Sequence, residues 1–144
     1  MRLFIVILLW AISMVAFYKV SADSGSIAME VKGDPKEKGD ILVALFSSAS
    51  GFPYEGKNAI RLAKGKCING SSRIVIDNVS PGTYAISVFQ DRNGDQKFNT
   101  NFLGIPQEGY GVSNNALHSF RAPEFEESSF KHTSHTELEI HLAY

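Results

Sequence analysis

The chain has 144 residues, with 14 Lys and Arg against 15 Asp and Glu, a formal net charge of −1 and a single cysteine. That length fits one or two small domains at most. The balanced charge and the lack of a basic stripe interleaved with aromatics argue against nucleic acid as a partner, and one cysteine excludes an internal disulfide.

Met1 and Arg2 give a positive start, and Leu3 to Tyr18 form an apolar run broken only by Ser13. Val20-Ser21-Ala22 then place small residues where a signal peptidase reads. A spanning helix needs roughly 20 apolar residues, and Lys19 closes this run before that length. Residues 1–22 are therefore expected to be a cleaved signal peptide. Residues 23–144 would be exported as one domain, periplasmic or extracellular, with no stable membrane anchor. Losing Arg2 and Lys19 makes the remainder more acidic. Cys67 is expected to be buried, the usual fate of a free cysteine. Asn69 and Asn78 open N-x-S sequons, which matter only in a host that glycosylates.

Beyond the leader, apolar residues recur with period two and no window shows a helical period. Ile27, Met29 and Val31 alternate with Ala28, Glu30 and Lys32 in a first strand ending at Gly33. The charged run from Gly33 to Gly39 reads as a connection. Ile41 to Ser47 (ILVALFS) is apolar on both faces, as a central strand would be. A loop with two aromatics runs from Ser48 to Lys57, and Ile60 and Leu62 mark a short, partly polar strand. Further strands are expected around Ile74 and Ile76, around Tyr84, Ile86 and Val88, and around Leu138, Ile140 and Leu142.

Between the last two lies a long aperiodic stretch, Asp91 to His135, the kind of segment that carries function or ordered irregular structure. A seventh strand is possible around Phe102 to Tyr110. Pro123 followed by Glu124, Glu126 and Glu127 suits a short helix near residues 123–128. Six or seven strands joined by Gly/Pro-rich turns predict an all-β fold, a single antiparallel β-sandwich of the transthyretin-like or immunoglobulin-like kind. Within it, Pro81-Gly82 suggests a type II turn. Tyr84, just after, fits either a tyrosine corner or a plain hairpin with a core tyrosine.

The run PGTYAISVFQDRNGDQKFNTNFLGIPQEGYGVSNN, residues 81–115, resembles the bacterial secreted domain-of-unknown-function family 2141. The likeness extends through Ala122-Pro123-Glu124-Phe125 and back to Asp40–Leu45, so it covers nearly all of the mature chain. It implies an extracytoplasmic transthyretin-like sandwich and carries no activity with it.

Two segments hold candidate site residues. Asp91, Asn93, Asp95, Lys97 and Asn99 place oxygen atoms at alternate positions of a tight loop, Lys97 through its carbonyl, as a weak calcium site would require. Gln96 stands where such loops carry glycine, and Phe102 where they carry a bidentate glutamate, so an Asx-rich turn bonding its own backbone is the competing reading. In Leu103–Asn115, three glycines suggest positive φ or close backbone approach. Glu108, Tyr110, Ser113, Asn114 and Asn115 could serve a ligand pocket there, or brace a loop against the sheet. His132 and His135 have metal-like spacing without a third ligand and are expected to be exposed. The favoured function is a non-enzymatic exported module binding a protein, glycan or envelope component. The alternative is a hydrolase with its site in residues 103–127.

Overall fold

The computed structural model describes residues 24–144; the expected signal peptide and its cleavage point lie outside the described residues. The strands in chain order are β1 (Gly25–Lys32), β2 (Asp40–Phe46), β3 (Arg61–Lys66), β4 (Ser71–Val79), β5 (Gly82–Asp91), β6 (Tyr110–Val112), β7 (Phe130–His132) and β8 (His135–His141). One helical turn, α1 (Phe125–Ser128), precedes β7. A three-stranded sheet has the order β4-β1-β8. A five-stranded sheet has the order β3-β2-β5-β6, with β7 on the first residues of β5. The all-β sandwich expected from the sequence is thus present, and β7 adds a strand inside the stretch that looked irregular.

Period-two patterning explains the packing. Successive side chains of a strand point to opposite faces, so Ile27, Met29 and Val31 of β1 share one face with Ile74 and Ile76 of β4 and Ile140 of β8. Against them lie Ile41, Val43 and Leu45 of β2 and Tyr84, Ile86 and Val88 of β5, in one buried cluster. Each such side chain taken from water stabilises the fold by about 1.5–3 kcal/mol before entropy is counted. The pairing is antiparallel throughout except between β1 and β8, which run parallel. These are the first and last strands among the described residues. With the rest of the chain between them, no short turn dictates their direction.

The passage from β4 to β5 settles the tyrosine question. The two strands belong to different sheets, so Ser80 and Pro81 carry the chain around a corner and do not close a hairpin. The Tyr84 hydroxyl donates to the Ser80 carbonyl at 2.8 Å, four residues back. The expected type II turn is absent. Gly82 keeps an ordinary φ and the left-handed residue is Asn78, at 58°, because a corner between sheets has a wider span than a hairpin to cover.

Three further expectations are corrected. The extra strand lies at Tyr110–Val112 and shares only Tyr110 with the window Phe102 to Tyr110 proposed for it. Cys67 is half-buried at the edge of the core instead of enclosed. His132 is buried, its Nδ1 bonded to Thr136 Oγ1 at 2.8 Å and its Nε2 to the Val79 carbonyl at 3.2 Å. β7 packs this ring against Tyr84, a tertiary arrangement invisible in the polar string around it.

Candidate functional site: a groove on the outer face of the five-stranded sheet

The outer face of the larger sheet is apolar. Cross-strand partners point the same way, and the register lines up two rows across four strands. One row is Leu62, Ala44, Ser87 and Val112; the next is Lys64, Leu42, Phe89 and Tyr110. This is why the ILVALF run reads as hydrophobic on both sides. Ile41, Val43 and Leu45 enter the core, while Leu42 and Ala44 remain half-buried on the opposite face.

Two loops rise over that face and turn it into a groove of about 700 Å³. The β2–β3 loop brings Pro53 and Tyr54, and the loop after β5 brings Phe98. Phe98 is the hub of the wall. It stacks on Tyr54 with ring centres 5.4 Å apart, and meets Phe89 and Tyr110 edge-on, each at 5.7 Å. Partial desolvation where Tyr54 lies against this stack, with Tyr110 adding to it, raises its phenol above its ordinary pKa, although half of the residue stays exposed. Lys57, Lys64 and Lys97 also line the groove, and among the described lining residues no carboxylate does.

The residues expected to bind calcium form the base that holds Phe98 in place. Asp91 is buried and accepts the Gly94 N–H at 2.8 Å through Oδ1 and the Gln96 N–H at 3.0 Å through Oδ2. Asn93 Oδ1 accepts the Asp95 N–H at 3.1 Å, and Asp95 Oδ1 accepts the Lys97 N–H at 2.8 Å. Amide groups of Asn93 and Asn99 donate to Asp95 Oδ2 at 3.0 and 3.1 Å. These bonds, the Lys97 N–H first, hold the Asp95 carboxyl below its usual pKa. Gln96 adopts φ 59° at the place where glycine was expected. Asp91, Asn93, Asp95 and Asn99 are therefore brought together, while Lys97 turns its side chain to the groove. Among the described residues no three His, Cys, Asp or Glu side chains converge as a metal ligand set. A cation here would need amide and carbonyl oxygens to complete its shell.

Glu108 clasps the same loop from below. It is buried, and its two oxygens accept the Arg92 N–H at 3.0 Å and the Asn99 N–H at 3.1 Å, one at each end of the loop. Of the five proposed pocket residues only Tyr110 faces the groove. Ser113 is buried, accepting the Ile86 N–H at 2.9 Å and donating to the Ser128 carbonyl. Asn114 donates to the Glu127 and Ser129 carbonyls at 3.1 and 2.8 Å. Asn115 bridges to β8, donating to the Glu139 carbonyl at 3.1 Å and accepting the His141 N–H at 2.8 Å. Gly104 holds positive φ as expected, and so do Asn114 and Asn115, whereas Gly109 and Gly111 do not. Gly111 is required for close approach, because a Cβ there would lie 2.7 Å from the His141 carbonyl oxygen and 2.9 Å from Ile140.

Within the stretch 103–127 offered for a hydrolase, Glu124 and Glu127 are ion-paired. Glu127 pairs with Arg121 at 2.6 Å and His118 at 2.9 Å, and these partners, Arg121 first, bring its carboxyl down to about 2. Such a group is a poor proton donor at neutral pH. His132 and His135 do not converge: one is enclosed, the other exposed beside Ser26. Leu42, Ala44, Tyr54 and Phe98 were not singled out in the sequence. The two-faced apolar run of β2 and the aromatic β2–β3 loop were the signals available.

A family model described as "Uncharacterized protein conserved in bacteria (DUF2141)" matches residues 29–140. No curated protein and no solved structure matches the chain.

Proposed function

We propose, for a chain that belongs to this family of uncharacterised proteins conserved in bacteria, that it is an exported, non-enzymatic binding module whose ligand site is the groove on the outer face of the five-stranded sheet. One observation carries the reading. A concave space of about 700 Å³ lies over an apolar sheet face and is walled by Tyr54, Phe89, Phe98 and Tyr110. Small-molecule sites are commonly concave, mainly apolar and about 300–1,000 Å³ in volume, with a few polar groups fixing orientation. A face left for solvent alone would follow the polar-out alternation of antiparallel sheets. The test is titration with Nile red, a neutral apolar dye, using the mature chain and Ala44→Trp, which fills the middle of the floor. Saturable emission from the parent chain, lost in the variant at an unchanged melting temperature, supports the site. Equal emission from both proteins sinks it.

A second reading concerns the Asp91 loop, where the side chains of Asn93, Asp95 and Asn99 meet within 3.2 Å of one another's polar atoms and Asp91 binds the loop backbone beside them. We propose weak calcium binding by Asp91, Asn93, Asp95, Asn99 and the Lys97 carbonyl. With two carboxylates, Kd belongs at the extracellular end, about 10⁻⁴ to 10⁻³ M. Calcium at about ten times Kd then adds roughly 1.4 kcal/mol of stability. Coincident melting curves in EDTA and in about 10 mM calcium would leave the loop as the aromatic wall's scaffold alone.

A further inference from the structure

Resting on the groove reading above, we propose that the occupant is a free long-chain carboxylate, its chain laid along the apolar floor and its head at the lysine rim. Shape supplies the first argument. The floor crosses four neighbouring strands, roughly 14 Å at the ~4.8 Å strand spacing. A single ring would cover a fraction of that length, and a two-chain lipid would overfill a space of about 700 Å³. A glycan would want paired polar side chains beneath it. Between Lys64 and Tyr110 the two floor rows offer Ser87 as their one polar side chain.

Charge supplies the second argument. The chain as a whole is acidic by one unit, yet the groove is lined by three lysines and, among the described residues, no acid. Lys57 is balanced by Glu55 at 3.3 Å. Lys64 meets Asp40 at 2.7 Å, and Asp40 also holds Lys66 at 2.8 Å, with Asp91 acting on Lys64 from further off. Lys97 has no ion pair among the described residues. Asp95 is near enough to Lys97 to feel its charge, but neither it nor Asp40 lines the groove, so the lining itself is cationic and carries the Tyr54 and Tyr110 rings. A carboxylate head complements that rim, whereas a cationic head is repelled by it.

The experiment displaces Nile red from the mature chain with three probes sharing one chain length: dodecanoate, dodecanol and dodecyltrimethylammonium, each below its micelle concentration. Dodecanoate is expected to compete about tenfold or more tightly than the other two, with Lys97→Gln removing most of that preference. Lys97 is exposed, so this variant does not put folding at risk. Equal potency of the three heads overturns the carboxylate and leaves the groove reading intact. Failure of all three against a dye that binds, and that Ala44→Trp blocks, overturns the chain-like occupant. Failure of the dye itself removes both readings together. Sedimentation that reveals a concentration-dependent dimer, abolished by Ala44→Trp and by Leu62→Ser, assigns the face to a second copy and overturns the proposal as well.

Discussion

The two sheets of this sandwich contribute to one core but present opposite outer faces. On the three-stranded sheet the outward positions of β1, β4 and β8 hold Glu30, Lys32, Arg73, Glu137, Glu139 and His141. Arg73 pairs with Glu137 at 3.1 Å and Lys32 with Glu30 at 3.0 Å. On the five-stranded sheet the matching positions are Leu42, Ala44, Leu62, Phe89 and Tyr110, with Ser87 and Lys64 as the polar members, and two loops cover them. Both faces obey the same period of two. What differs is whether the outward set is solvated, and the apolar set sits where loops wall it off. A sheet face that departs from polar-out patterning marks the place where something other than water belongs.

The largest effect should come where the two faces are not distinguished. Ile86 is fully buried, and Ile86→Ala should cost about 2–5 kcal/mol through lost transfer energy and the cavity left behind. Urea denaturation would show this as a lower midpoint. A loss below about 1 kcal/mol would mean that the core collapses around the site more freely than interlocked sheets allow.

Glu108→Gln is a sharper probe of the difference, because it acts on the wall of one face only. Exchanging a charged acceptor of two backbone N–H groups for an amide should cost about 1.5–3 kcal/mol. Nile red affinity should fall with it as Phe98 loses its support. Retained affinity at reduced stability would detach the loop from the groove.

Leu62→Ser and Arg73→Ala form a matched pair on the two outer surfaces. Each should change stability by no more than about 0.5 kcal/mol, as exposed substitutions usually do. Only Leu62→Ser should weaken the dye. A comparable loss from Arg73→Ala would erase the contrast between the faces.

The smallest effect concerns pH. Glu127, about a third exposed, has its carboxyl lowered from 4.5 to about 2 by Arg121 and then His118. A carboxyl depressed in the folded state adds stability above its unfolded pKa. That contribution is lost as pH falls from about 4.5 through about 2. Arg121→Ala should flatten the acid limb of the stability profile in this window and leave neutral pH nearly unchanged. An identical acid limb in both proteins would show that the pairing makes no difference to folding.

Much of the architecture was legible in the residues themselves. Alternation set out β1, β4, β5 and β8, because a strand half-buried on a core must repeat every two residues whatever its neighbours are, and an unbroken apolar run set out β2. The oxygen-rich loop at Asp91 was also visible, and bracing by Ser113, Asn114 and Asn115 was one of two readings open for them, since such side chains bond backbone where they hold turns. Strand partners were not. The parallel β1–β8 pair, the seat of His132 under Tyr84 and the clasp of Glu108 on Arg92 and Asn99 all join residues that are not neighbours along the chain, or that face one another only after the sheets close. The groove belongs to that second class. Leu42 and Phe98 are ordinary apolar residues in the sequence, and only the cross-strand register, with one loop folded over it, puts them on the same surface.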